Sequence, residues 1–130
     1  MANSLIAMAG TGTSAPAAAA ISGSLQTGQT ALGTTQANAF AIFSNYTHFS
    51  TVAAATGAVL PPVSATVGLG AQQGDEYEVY NLGANALLVY PGLGAGIGAG
   101  ATNAGFSVAA AKSAKFVLLT TTLWGAVLSA

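Results

Sequence analysis

Charge is what this chain has least of. Among its 130 residues only two are Lys and three are Asp or Glu, and none is Arg. That is 4% of the chain, where an ordinary soluble domain carries about 25%. Two lysines cannot form the cationic stripe that phosphate backbones require, so nucleic acid is excluded as a partner. Cysteine is absent, which removes disulfides, thiolate metal sites and thiol nucleophiles. One histidine, His48, leaves little to tune for acid–base work, so neither an enzyme nor a cofactor nor a metal is expected. Long apolar runs are missing too. Mean hydropathy is +0.61, yet no stretch of about 18–20 strongly apolar residues exists. The nearest, Ala86 to Ala101, is broken by Pro91 and by glycine at every second position from Gly92 to Gly100. No Lys or Arg precedes Lys112 to begin an export signal. Neither a membrane span nor export by signal peptide is expected.

What is present is mostly small. Hydrophobic residues reach 52%, but many are alanine, and Gly, Ser and Thr fill much of the remainder. A surface coated with Thr, Ser, Asn, Gln and small apolar groups has neither net charge nor charge mixing to keep copies apart. Self-association is the expected state.

Two textures divide the chain. Residues 1–36 contain no aromatic residue and little branched apolar content, so they read as an extended N-terminal arm. Within it, Ala15 to Ile21 could form a short helix with Pro16 near its first turn. From residue 37 to 130 every aromatic residue appears, together with period-two patterns. Phe40 and Ile42 alternate with small residues, and Thr47 to Val52 is β-branched and aromatic. Pro61 and Pro62 mark a strand end. In "GDEYEVYNLGANALLVYP", Glu76, Glu78 and Tyr80 share one face of a strand, and Tyr77, Val79 and Asn81 share the other. Leu82 to Asn85 reads as a turn and Ala86 to Tyr90 as the returning strand of a β-hairpin. The acids then sit on a wet face and discourage edge pairing. Phe106 to Val108, Ala114 to Thr120 and Leu123 to Leu128 supply further strands. The fold class is all-β, a β-sandwich or jelly-roll-like barrel, with Tyr77, Val79, Leu88, Tyr90, Phe116, Leu118 and Trp124 expected inside. The alternation of Leu88 and Tyr90 against Leu87 and Val89 leaves open which pair faces inward.

Chemical motifs are sparse. Gly94-x-Gly96-x-x-Ala99 loosely fits a dinucleotide fingerprint, but no Asp or Glu follows Glu78 and Asn103 and Gly105 interrupt any helix. A loop tip is the simpler reading. Ala111-Lys112-Ser113 echoes the end of a phosphate-binding loop, with Phe106 and Ala111 where glycines are needed. A Ser-His-Asp set can be composed from His48 and Asp75, without a nucleophile-elbow pattern. Phe40, Phe43, Tyr46 and Phe49 could make an aromatic sugar platform, though core or interface packing explains strand aromatics more simply.

One resemblance stands out. The succession "FSTVAAATGAVLPP", an acidic strand, "NLGANALLVYP", a glycine-rich loop with "TNAGFSVAAAKSAKF", and a final "LW" resembles a module of tailed-bacteriophage virion structural proteins. It covers roughly residues 37–128. Ala111 departs from the pattern, which usually has a turn glycine there. The resemblance implies a non-enzymatic, oligomeric protein on the virion capsid surface, a capsid decoration (cement) protein or head-fibre subunit. Its implied partners are its own copies, with a homotrimer favoured, and the major capsid protein. Other readings are a carbohydrate-binding adhesin domain or a self-assembling surface fibre. The arm is expected to cross a neighbouring subunit or the capsid, with Leu5, Ile6, Ile21 and Leu25 as anchors. Alternatively it supplies the first strand or two of the same β-domain.

Overall fold

Parallel strands can pair only if the chain returns to its starting end between them. In this protein the return is made by a strand of the opposite sheet. The computed structural model describes residues 24–64, 66 and 69–130, which form an all-β sandwich. Its strands are β1 (Leu25–Thr30), β2 (Phe40–Ala41), β3 (Tyr46–Thr51), β4 (Gly57–Val59) and β5 (Glu76–Asn81). They continue with β6 (Leu87–Tyr90), β7 (Gly96–Ile97), β8 (Phe106–Val108), β9 (Lys112–Thr120) and β10 (Leu123–Leu128). A six-stranded sheet has the order β1-β3-β5-β9-β10-β7, and a four-stranded sheet the order β2-β4-β6-β8. Among the described residues the chain therefore changes sheet after every strand from β1 to β8, and only β9 and β10 form a hairpin.

The first six strands make three stacked turns, each with one strand in either sheet. β1, β3 and β5 run parallel, as do β2, β4 and β6. Equivalent residues stack: Gln26 on Thr47 on Val79, and Phe40 on Ala58 on Val89. β8 and β9 then close the stack antiparallel, against β6 and β5. A jelly roll pairs its strands antiparallel, so the sandwich is the alternative realised.

Period-two alternation fills the space between the sheets. Phe49, Val79, Leu87, Val89, Val108, Phe116, Leu118 and Trp124 are fully buried. Two edge-to-face ring pairs join the layers: Phe40 with Phe49 at 5.3 Å, and Phe106 with Phe116 at 5.6 Å. A third, Tyr77 with Trp124 at 5.8 Å, lies within the six-stranded sheet. Such pairs add about 0.5–1.5 kcal/mol beyond area burial.

Several expectations are corrected. The stretch Glu76 to Tyr90 is not a hairpin, because β5 and β6 belong to different sheets. Asn81 and Gly83 instead turn the chain from one layer to the other. β5 lies between β3 and β9, so its acids guard no edge. Leu87 and Val89 face inward, and Leu88 and Tyr90 are only half-buried, as is Tyr77. The glycine run is more than a loop tip: Gly96 and Ile97 are buried and pair with β10. The domain begins upstream of residue 37, since Leu25–Thr30 is a strand of the six-stranded sheet and Ala31 is in the core. The suggested helix at residues 15–21 lies outside the described residues.

Candidate functional site

The chain's scarce charge collects on the outer face of the six-stranded sheet. Alternation turns Glu76, Glu78 and Tyr80 of β5 outward because Val79 and Asn81 are wholly inside. Strand register then sets their neighbours. One row across the sheet reads Leu25, Tyr46, Glu78, Lys115, Val127. A parallel row holds His48, Tyr80 and Ser113. Neighbouring strands lie about 4.8 Å apart and same-face residues roughly 6.6–7 Å apart along a strand. Tyr46, Glu78, His48 and Tyr80 thus occupy four adjacent positions of one grid.

Contacts within the grid are specific. Lys115 Nζ meets Glu76 Oε1 at 2.8 Å, diagonal to the register pair Glu78–Lys115. That bond is the main reason the ammonium is held above its ordinary pKa. The Tyr80 hydroxyl donates to Glu78 Oε2 at 3.1 Å. Burial first, then this carboxylate, raises the Tyr80 phenol above its usual value. His48 Nδ1 lies 2.9 Å from Thr27 Oγ1 and accepts from Gly28 N at 3.3 Å, tying β3 to β1. The remaining acid serves the backbone: Asp75 Oδ2 accepts from Gln72 N at 2.8 Å. Lys112 donates to the Ala130 carbonyl at the chain end.

Chemically the face offers two phenols, an imidazole and one carboxylate not engaged by the Lys115 ion pair. It can bind polar ligands and accept hydrogen bonds. His48 and Asp75 are each committed to other partners, so the composed Ser-His-Asp set is not assembled. Among the described residues, no group of three or more His, Asp or Glu is placed to hold a metal ion. No helix among them is long and apolar enough to cross a membrane. The glycines from Gly92 to Gly100 lead into no helix, so the dinucleotide pattern lacks its cradle.

The sequence-derived aromatic group is split by the fold. Phe49 is core, Phe40 is half-buried against it, and Phe43 and Tyr46 remain accessible. Of the expected arm anchors, Leu5, Ile6 and Ile21 lie outside the described residues. Leu25 stands at the start of β1 with its side chain exposed.

The second surface feature is apolar. Leu93 is 84% exposed and Phe43 70%, and Leu25, Leu69, Leu82 and Val127 are also well exposed. They are spread over loops, an inter-sheet turn and the sheet's outer face. Sequence pattern alone could have flagged Leu25 and Val127, which stand at positions alternating with inward ones. The loop positions carry no such signal. No protein-family model matches the chain, and no curated protein and no solved structure matches it.

Proposed function

We propose that this chain is a non-enzymatic structural protein of a virion, a capsid decoration (cement) or head-fibre subunit that binds an assembled capsid lattice as a homotrimer. One observation carries the reading: large apolar side chains stand exposed on a sandwich with almost no charge to oppose association. Burying one such side chain contributes about 1.5–3 kcal/mol. Symmetry repeats each contact, so modest patches add up on a lattice and stabilise it by linkage. The layered stack gives these patches a stiff mount, and the resemblance to tailed-phage modules supports the same conclusion.

Mass spectrometry of gradient-purified particles, from a lysate of cells carrying the gene, tests it. The protein is expected in the particles at a stoichiometry set by the lattice. Recovery only in the soluble fraction would overturn the reading. Sedimentation velocity of the purified protein is expected to give a trimer, and a stable monomer at micromolar concentration contradicts that part.

The grid of Tyr46, His48, Glu78 and Tyr80 favours a second reading as a glycan-binding domain. Phenol faces stack on sugar C–H surfaces and a carboxylate accepts from vicinal hydroxyls. A glycan array separates the two. Binding that is lost in Tyr46→Ala and Tyr80→Ala supports the second, and no binding to any glycan removes it.

A further inference from the structure

The outer face of the six-stranded sheet carries its charges in a fixed order. Its central row reads Leu25, Tyr46, Glu78, Lys115, Val127 from β1 to β10. Glu78 and Lys115 stand side by side on β5 and β9, with the Tyr46 ring on one flank and Val127 on the other. Val127 is 70% exposed and Leu119, near the end of β9, is 53% exposed. Leu119 lies over Gly125 of β10, where an added Cβ would meet its Cδ1 at 2.9 Å. β9 and β10 therefore present a shallow apolar half beside the acidic half made by β5.

We propose that this face docks on the same face of a second copy, about a two-fold axis running along the strands between β5 and β9. Such an axis makes the contact isologous, reverses the strand order and leaves each row opposite itself. Glu78 then faces Lys115 of the second copy, Lys115 faces its Glu78, and Tyr46 and Val127 exchange in the same way. A two-fold axis across the strands would instead set every strand on its own copy. The acids of β5 would then meet only β5 and never Lys115. Like charges opposed across an interface cost affinity, so the order of the row selects the first arrangement. Lys115 keeps its bond to Glu76, since an ammonium has three donors. Glu78, outside that ion pair, is the acid that the second Lys115 reaches. Side chains of two sheets stacked face to face interdigitate across about 10 Å.

The overlap covers β3, β5, β9 and β10. At about 4.8 Å between strands and 3.3 Å per residue, four strands of about six residues make roughly 400 Å² of flat face per copy. Both copies together come to roughly 800 Å², which side-chain relief brings closer to the ~1,000 Å² that a specific interface needs. The contact is thus weak between two isolated units, and stronger where several units meet at once. It is a second contact between copies, beyond the trimer proposed above, and it doubles whatever unit the protein forms.

Exchange of charge tests it. Glu78→Lys and Lys115→Glu are made in separate full-length chains. Sedimentation equilibrium is run up to about 1 mM, where a contact of millimolar Kd is about half formed. The wild type is expected to double its mass over that range, from trimer to hexamer or from monomer to dimer, so failure of the trimer reading leaves this test standing. Each charge variant alone is expected to lose the doubling, because like charges then face each other. Their 1:1 mixture is expected to regain it: the new lysine faces the new glutamate, and native Lys115 faces native Glu78. Val127→Asp, at an exposed side chain the core does not use, covers the case in which an exchanged charge disturbs the sheet. It too is expected to remove the doubling. A wild type that does not double overturns the proposal, and so does a Val127→Asp chain that still doubles. A mixture of folded charge variants that stays undoubled also overturns it.

Discussion

The side-chain amide of Asn81, on β5, donates to the carbonyl oxygen of Val108, on β8, at 2.9 Å, a bond that runs from one sheet to the other. The same nitrogen donates to Asn85 O at 2.8 Å, and Asn81 Oδ1 accepts from Gly83 N at 3.0 Å. Asn81 is wholly buried. It fixes the turn that carries the chain between layers, and Asn85 continues the network by donating to Val52 O at 2.9 Å.

Asn81→Ala is expected to destabilise the fold by about 1–3 kcal/mol, since it leaves the buried Val108 carbonyl, and the part-buried Asn85 carbonyl and Gly83 N–H, without their partner. Asn81→Asp should be worse at neutral pH. A carboxylate offers no donor to the two carbonyl oxygens and adds an unpaired buried charge. Urea denaturation checks both. Equal stability of the two variants would mean that the buried charge adds no penalty, and wild-type stability in Asn81→Ala would mean that the amide does not hold the turn.

Much of the sheet content was legible because period-two alternation is a local signal. It placed Val79 and Asn81 on one face of β5 and Glu76, Glu78 and Tyr80 on the other, and the structure agrees. It failed on connectivity. "NLGANA" has the residues of a hairpin turn, yet whether the following strand joins the same sheet depends on partners far along the chain. β5 found β3 and β9, and β6 found β4 and β8. Short buried strands were ambiguous in the same way: ALLVY offers two apolar faces, and only the opposite sheet decides for Leu87 and Val89. The polar grid was half legible. The acids and Tyr80 were on the page, but bringing Tyr46 and His48 beside them required the parallel pairing of β3 with β5.

Ala111 stands at φ 62°, between β8 and β9, where its N–H donates to Asn81 O at 2.8 Å. The left-handed region costs an L-residue roughly 1–2 kcal/mol, of which glycine's larger unfolded-state entropy offsets about 0.5–1 kcal/mol. Ala111→Gly should therefore raise the thermal midpoint by a small amount, and Ala111→Val should lower it more strongly. A drop with glycine would show that the turn is not strained.

Tyr77 packs its ring on Trp124, and burial, then the charge of Asp75, raises its phenol above 10.0. A raised folded value means the contribution of the neutral phenol is complete below the unfolded pKa. It is lost as pH rises through the folded one. Urea midpoints are thus expected to fall on going from about pH 9 to 11, and Tyr77→Phe should flatten that fall. Some slope should remain, because Tyr80 is raised by burial and Glu78, and Lys115 by its bond to Glu76. An unchanged slope in Tyr77→Phe would assign the alkaline loss to those two groups alone.

His48 bears on β1, which among the described residues pairs only with β3. A backbone N–H can only donate, so the bond from Gly28 N requires His48 Nδ1 to be without a proton, which places the ring proton on Nε2. Gly28 stands at φ 69° where the β1–β3 register shifts. The imidazole supplies an acceptor at the point where the ladder is irregular, and Thr27 Oγ1 shares it at 2.9 Å. His48→Phe keeps the ring's bulk and removes both contacts. Hydrogen exchange at the Gly28 amide is expected to speed up about tenfold, the equivalent of one hydrogen bond of roughly 1.4 kcal/mol. Amides of β5 and β9, held on both sides, should exchange as before, because edge strands open locally without global unfolding. An unchanged rate at Gly28 would mean the edge is held by its ladder alone. Faster exchange on β5 as well would mean that β1 and the central strands open as one unit.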